Sequence, residues 1–217
     1  MPYDPFKDFT PISKAFETVL LVVSNPQVPV NGIRELIDYA RKNPGKLSYG
    51  TSGIGTSHHL SGEAVKLLTG IEWTHVPYKG GPPVLTDLMS GQIQVGFTIL
   101  ATATPFLKSG KMRMLAVNNA KRYSVIGDVP TMREQLPEYE APPAWGGYFG
   151  PAGMPAPLVA RLNAELVRII NAPDVRAKAQ DIGFVSETST PEELTQQIVR
   201  DNAIVGKIVK AIGIQPE

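Results

Sequence analysis

Short apolar runs alternate along this sequence with longer segments in which apolar residues recur at helical spacing. Residues 20–24 are apolar almost throughout, which is typical of a strand buried on both faces. The segment before them, residues 1–15, is rich in Pro, Asp and Lys and is predicted to be a loop. After the strand, a stripe of apolar positions three and four residues apart predicts an amphipathic helix, formed by Ile33, Leu36, Ile37 and Ala40.

The same alternation of strand and helix then repeats. Four further strands are predicted, with a helical segment between each pair, at residues 46–49, 73–76, 93–97 and 112–117. Because helices separate them, these strands are expected to lie parallel and to be joined by right-handed crossovers. The pattern therefore predicts an α/β fold in which residues 29–122 form one complete doubly wound parallel lobe.

The C-terminal part has more helix than sheet. Residues 123–141, rich in Pro, Glu and Gly, are predicted to be a linker or crossover. Beyond them the pattern predicts three helices and only two short strands, at 157–171, 173–181 and 191–212 and at 145–149 and 184–185. The apolar faces of these helices need a sheet to cover them. We therefore expect residues 1–28 and 142–217 to form an incomplete α/β lobe, with part of its sheet absent or supplied by another chain.

Composition and charge narrow the choice of partners. The 217 residues include 21 basic and 20 acidic side chains, with no block of like charge. This even distribution argues against nucleic acid or an acidic membrane surface as a partner. The absence of cysteine excludes disulfides and cysteine-based metal sites or nucleophiles. The apolar run 19–23 is too short to span a bilayer. Residues 1–4 are polar and predict no signal peptide, so the chain as written would be expected in the cytoplasm.

A glycine-rich loop between a predicted strand and a predicted helix is the sharpest local feature. Its glycines allow a tight turn and a close approach of a ligand to the backbone, and the helix after it points free N–H groups at the loop. Its hydroxyl groups come from Thr51, Ser52, Thr56 and Ser57. Such a loop suits an anion, above all a carboxylate. The alternative is a tight turn whose Ser and Thr residues only cap the helix.

Known catalytic patterns do not fit this loop. No lysine follows Gly55 as a phosphate-binding P-loop requires, and neither Gly-x-Ser-x-Gly nor Gly-x-Gly-x-x-Gly is present there. The adjacent His58 and His59 point about 100° apart on a helix and are not expected to share a metal. One of them is expected to cap or line the loop, and the other to be solvated. No pair of carboxylates stands near the loop to serve as acid and base. We therefore expect a binding protein without cofactor or metal, and give an enzyme acting on a small acid little weight.

Two further loops follow predicted strands and are expected at the same edge of the sheet. In parallel sheets, ligands bind outside the carboxyl ends of the strands. Tyr78, Lys79 and Thr98 are therefore expected on the same rim as the glycine-rich loop. For Lys79 the alternative is an ordinary surface lysine.

Several motifs in the same order resemble the solute-binding receptors of the tripartite tricarboxylate transporter family, the Bug or TctC-like receptors. The resemblance extends over essentially the whole chain, and the matching segments are Pro-Tyr-Asp-Pro-Phe-Lys-Asp-Phe-Thr-Pro at 2–11, Asn-Pro-Gly-Lys-Leu-Ser-Tyr-Gly-Thr-Ser-Gly-Ile-Gly at 43–55, His59-Leu60, His-Val-Pro-Tyr-Lys-Gly at 75–80, Asp-Val-Pro-Thr at 128–131, Gly-Pro-Ala-Gly-Met-Pro at 150–155 and Leu162-Asn163. The resemblance implies a type II periplasmic-binding fold. In that fold two α/β lobes close on a small carboxylate and present it to a membrane permease.

The resemblance also implies a set of ligand-binding residues. The glycine-rich loop would hold the carboxylate through Thr51, Ser52, Gly53, Gly55, Thr56, Ser57 and His59. The loop after the next strand would flank the carboxylate through Tyr78, Lys79 and Gly80. Thr98 stands where the family often has Asp or Asn, which is a departure at the far end of the ligand.

The resemblance departs most at the N-terminus. Nothing in this sequence corresponds to the family's first strand and the Pro- and Gly-rich loop after it. In the family, that loop supplies the side of the binding site opposite the glycine-rich loop. The expectation is an N-terminally truncated receptor with weak or no binding. The alternative expectation is a non-binding remnant that forms a homodimer through its unfinished lobe.

Overall fold

The computed structural model describes residues 4–214, which divide into two compact units. The smaller unit contains residues 4–18 and 144–203, and the larger contains residues 19–143 and 204–214. The strands of the described chain are β1 (Phe9–Thr18), β2 (Leu20–Ser24), β3 (Ser48–Thr51), β4 (Thr74–Pro77), β5 (Val95–Ile99), β6 (Arg113–Val117), β7 (Trp145–Pro151) and β8 (Phe184–Ser186).

The helices confirm most of the predicted positions within one or two residues. They are α1 (Ile33–Lys42), α2 (Ser57–Thr69), α3 (Gly81–Ser90), α4 (Leu100–Ala103), α5 (Met132–Gln135), α6 (Ala156–Ile170), α7 (Pro173–Asp181) and α8 (Pro191–Ile212). Two 3₁₀ turns, Thr104–Ser109 and Ser124–Ile126, complete the regular structure of the described residues. The α/β class predicted from the sequence is confirmed.

The larger unit is built on a five-stranded sheet in the order β4-β3-β5-β2-β6. β3 pairs in parallel with both β4 and β5, as predicted. β2 is inserted antiparallel between β5 and β6, so β5 and β6 point the same way without being neighbours. The four predicted strands therefore share one direction, and their carboxyl ends lie at one edge of the sheet.

The position of β2 differs from the predicted division of the chain. Sequence analysis assigned residues 1–28 to one lobe, whereas Leu20–Ser24 lies inside the sheet of the larger unit. All five residues are buried, which fits a strand with neighbours on both sides and helices on both faces. The segment 123–141 also packs within the larger unit, because Tyr139 is buried and Thr131 bridges to Val117.

The smaller unit has a three-stranded antiparallel sheet in the order β7-β1-β8. The prediction of a loop over residues 1–15 is wrong, because β1 begins at Phe9 and runs through Pro11. Its pairing with β7 shifts register between Pro11 and Ser13, and such an irregularity is where a strand tolerates proline. Residues 1–3 lie outside the described part of the chain. α6 packs against β1, and α7 packs against β8.

Aromatic residues form the centre of the larger unit's core beneath α2. The ring of Tyr49 contacts those of Trp73, at 4.7 Å between centroids, and Phe97, at 5.7 Å. Gly62 of α2 lies directly over the Tyr49 ring, so that a Cβ at this position would overlap ring carbons. Packing between α2 and β3 therefore requires glycine here, although glycine weakens a helix elsewhere.

Replacing Gly62 with alanine is expected to destabilise the protein by about 1–3 kcal/mol through overpacking. The matched control is Gly206→Ala in α8, where an added Cβ meets nothing within 4 Å. That variant should be neutral or more stable by up to about 1 kcal/mol, since alanine is the better helix former. Denaturant unfolding of both variants measures the difference. Equal stability of the two would contradict the packing described for α2.

Candidate functional site

The glycine-rich loop connects the end of β3 at Thr51 to the start of α2 at Ser57. Gly53 and Gly55 have φ angles of 136° and 75°, which other residues adopt only under strain. Thr56 caps the helix: its hydroxyl accepts the N–H of His59 at 3.3 Å and donates to the Gly53 carbonyl at 2.7 Å. The predicted capping role of this loop is therefore present, together with a tight turn.

The start of α2 leaves backbone donors free to face a ligand. The first main-chain bond of the helix runs from the Leu60 N–H to the Thr56 carbonyl at 2.9 Å. The N–H groups of Ser57 and His58 precede that bond, so they point outward from the helix start, where the helix dipole is positive. Two backbone donors in a positive field, beside a loop without bulky side chains, can bind a carboxylate.

All three histidines of the sequence pack around this loop. The Ser52 hydroxyl lies 2.7 Å from His58 Nδ1, and the Thr51 hydroxyl lies 2.7 Å from His75 Nε2. The Nδ1 of His59 accepts the Gly55 N–H at 3.2 Å. Sequence analysis expected one of the two adjacent histidines to be solvated. In the structure both contact the loop, because the turn folds back over the first turn of α2.

Burial keeps these imidazoles neutral. It lowers the pKa of His58 to about 4, and burial together with the nearby His59 lowers the pKa of His75 to about 4. Burial also lowers the pKa of His59, while the carboxylate of Glu63 opposes that shift. At neutral pH the histidines therefore add no positive charge, and attraction for an anion comes from the helix start.

The structure gives the predicted hydroxyl groups different roles. Thr51 is fully buried and bonds to His75, and the hydroxyl of Ser57 donates to the Pro143 carbonyl at 2.7 Å. Ser52 and Thr56 are half-buried at the loop surface. The Thr56 hydroxyl is occupied by its bonds to Gly53 and His59. The hydroxyl available to an incoming ligand is therefore that of Ser52, whereas Thr51 packs beneath the loop.

The loop after β4 lies beside the glycine-rich loop, as expected. The N–H of Tyr78 donates to the Thr51 carbonyl at 2.9 Å, and Lys79 is exposed. The Tyr78 hydroxyl donates to Asp87 at 2.7 Å; burial, with that carboxylate, raises the pKa of Tyr78 to about 12. Tyr78 is therefore neutral and is held beside the glycine-rich loop. Two residues later, Gly80 is the N-cap residue of α3.

Thr98 lies apart from this group. It is 1% exposed, and its hydroxyl has no hydrogen-bond partner among the described residues. Two positions earlier on β5, Gly96 faces Val84 and Leu88 of α3, so Thr98 lies on the α3 face of the sheet. Thr51 lies on the α2 face, so the structure does not bring these two hydroxyls together.

Sequence analysis missed His75 as a neighbour of the loop. His75 lies on β4 directly opposite Tyr49 of β3, and its ring stacks on that of Tyr49 at 4.9 Å. The predicted parallel pairing of neighbouring strands could have indicated this contact. The register of the two strands, which the sequence does not state, was the missing information.

Residues 4–214 contain no cluster of three or more His, Cys, Asp or Glu side chains that could hold a metal ion. Within the same residues, no helix has both the length and the apolar character needed to cross a membrane.

The fold matches solved structures of periplasmic solute-binding proteins. The family model "Tripartite tricarboxylate transporter family receptor" matches residues 1–214, and the chain belongs to this family. Membership confirms the predicted resemblance and the prediction of a binding protein rather than an enzyme.

Two curated relatives are about 30% identical to this chain over the aligned residues. The UPF0065 protein in the tcbD-tcbE intergenic region of Pseudomonas sp. (strain P51) is 33% identical over 196 residues, which are 89% of this chain and 58% of that protein. Protein BugT of Bordetella pertussis is 29% identical over 192 residues, which are 88% of this chain and 57% of BugT. The chain thus spans less than two thirds of these relatives.

Solved structures of the same family superpose closely. An R. palustris protein with adipate has a TM-score of 0.84 at 34% identity, covering 100% of this chain and 73% of that one. MatC from Rhodopseudomonas palustris with bound malate has a TM-score of 0.77 at 31% identity, covering 96% and 72%. The periplasmic binding protein BugD has a TM-score of 0.79 at 28% identity, covering 99% and 73%.

Proposed function

We propose that this chain binds a small carboxylate through its glycine-rich loop and serves as the periplasmic receptor of a tripartite tricarboxylate transporter, delivering the solute to the membrane permease. The observation that carries the proposal is the start of α2, where two backbone N–H groups face outward beside a loop of glycine, serine and threonine. The adipate and malate bound to related structures support a dicarboxylate as the ligand class.

In the proposed complex, one carboxylate group accepts hydrogen bonds from the N–H groups of Ser57 and His58 and from the hydroxyl of Ser52. The hydroxyl of Thr56 already donates to the Gly53 carbonyl and remains part of the helix cap. Gly53 and Gly55 allow the approach, because they place no side chain over the backbone. Bonds to a charged group contribute about 1.5–3 kcal/mol each, so three of them can hold a small solute. Thr98 lies on the other face of the sheet and is left out of this contact set.

Charges near the loop favour an anionic ligand. The loop itself carries no acidic residue, and Glu63, further along α2, is buried and accepts the Tyr49 hydroxyl at 2.5 Å. The exposed Lys79, in the neighbouring Tyr78–Gly80 loop, adds a positive charge on the same rim. The proposed roles of Tyr78 and Gly80 are to flank the ligand and to anchor that loop.

A negative charge placed on the loop tests this proposal. Ile54 is 62% exposed at the tip of the loop, so it can be replaced without disturbing the core. Ile54→Glu is expected to weaken adipate and malate binding at least fivefold, from Coulomb repulsion of about 1 kcal/mol or more across a few ångströms. Ile54→Gln, of the same shape without charge, is the matched control and should bind like the unaltered chain. Calorimetric titration measures all three.

Two further results sharpen that test. The difference between the Glu and Gln variants should shrink as salt is added, because exposed charges are screened. Neutral adipamide should bind weakly and equally to both variants. Equal affinity of both variants for adipate at low salt would contradict binding at this loop, and so would a lack of binding to any dicarboxylate.

We propose self-association through the smaller unit as a second candidate property. It is favoured by an exposed apolar stripe on one face of α6, where Leu158, Leu162 and Ile169 are 45%, 36% and 46% exposed. β7 and β8 are the edge strands of the small sheet, each paired on one side only. An exposed apolar stripe and unpaired strand edges are both surfaces that a second copy of the chain can cover in a homodimer.

Light scattering on the purified chain tests the homodimer. The unaltered chain should have the mass of a dimer at high concentration, and Leu162→Lys should shift it to the monomer by placing a charge in the stripe. Ala164→Lys, about half a turn away on the same helix and also exposed, is the matched control and should remain dimeric. A monomeric unaltered chain at every concentration would contradict this candidate.

A further inference from the structure

His59 occupies a position in which the geometry fixes its protonation state. Its Nδ1 lies 3.2 Å from the backbone nitrogen of Gly55, and a backbone N–H can only donate. Nδ1 must therefore be unprotonated, and the neutral ring carries its proton on Nε2. A charged imidazolium would place an N–H against the Gly55 N–H, and this bond would be lost.

The bond from Gly55 to His59 closes a reciprocal cap at the start of α2. Thr56 is the N-cap, and its hydroxyl accepts the N–H of His59 three residues later. The His59 side chain in turn accepts an N–H from the residue just before the cap. In an ordinary capping box a Glu or Gln at this third helical position makes the return bond to the cap residue. Here a histidine performs a similar function, so the loop is held by a group that can gain a proton.

The groups that face His59 come from three elements. From β4, the ring of His75 stacks on it at 4.1 Å between centroids, and from β3, Tyr49 stacks on the other side of His75. On its own helix, Glu63 lies near enough to favour the charged form, and His58 bonds to Ser52. Two stacked imidazoles are costly to charge together, and both are partly desolvated. The arrangement therefore favours the neutral ring that the Gly55 bond requires.

We infer that His59 is a positioning residue for the solute loop: while neutral it holds Gly55 and thereby the outward N–H groups of α2, and its protonation releases the loop. The inference rests on the proposed function, because it concerns the same loop. Burial lowers the pKa of His59 below its usual range. Solute affinity is therefore highest near neutral pH, and it falls as the pH decreases through the pKa of His59.

Two substitutions separate positioning from simple loss of structure. His59→Asn places the amide Oδ1 where the imidazole Nδ1 lies, so the variant keeps a hydrogen-bond acceptor for the Gly55 N–H. Unlike imidazole, this amide does not gain a proton as the pH falls. His59→Leu removes the acceptor and retains an apolar side chain. We expect adipate affinity to fall about fivefold or more in the Leu variant at neutral pH, the loss associated with one hydrogen bond, and to be largely restored in the Asn variant.

The pH profile is the decisive readout, measured by calorimetry with adipate from neutral pH down to the lowest pH at which the chain stays folded. The affinity of the unaltered chain should fall several-fold more over this range than that of His59→Asn. Protonation of adipate itself affects both proteins equally and cancels in the comparison. Parallel profiles of the two proteins would overturn the inference.

Hydrogen exchange of the Gly55 amide, measured without solute, makes the result independent of binding. Exchange should be at least fivefold faster in His59→Leu than in the unaltered chain or in His59→Asn, because a lost hydrogen bond exposes the amide. If exchange follows this pattern but no variant binds adipate, the positioning role stands and the proposed carboxylate function fails. If the Gly55 amide is equally protected in the Leu variant, the inference is overturned whatever the binding data.

Discussion

The parallel pairing of β3 with β4 and β5 is the constraint on which the rest of the larger unit depends. It places the carboxyl ends of the three strands at one edge and sets Tyr49 directly opposite His75. Because the chain passes from β3 through one short loop into α2, the positive end of that helix lies at the same edge. A slip of one residue would turn Thr51 away from His75 and move Tyr49 out of the core.

Beneath the loop, this pairing creates a layer of neutral aromatic and imidazole rings. Tyr49, His75 and His59 lie in a stacked series, with centroid distances of 4.9 and 4.1 Å. Burial disfavours charge on the imidazoles, so the attraction for an anion comes from backbone dipoles, hydroxyl groups and the exposed Lys79. For the proposed receptor function, which requires release as well as binding of the solute, a site built largely from neutral donors suits moderate affinity.

Local patterns were sufficient to predict the α/β class, most helix positions and the glycine-rich loop with its capping threonine. Features that depend on long-range pairing were not predicted. β1 was missed because Pro11 suggests a loop, although an irregular register accommodates it. β2 was recognised as a buried strand, but its two antiparallel partners lie more than 70 residues away in sequence. The contact between Thr51 and His75 depends on strand register in the same way.

The central claim is that a carboxylate binds at the start of α2. Titration of the isotopically labelled chain with adipate, followed by the shifts of assigned backbone amides, tests it most directly. The account predicts the largest shifts at Ser57 and His58, with smaller ones at Ser52 and Gly53 and none along α7. Saturable shifts confined to other parts of the chain, or unchanged amides at the start of α2, would contradict it.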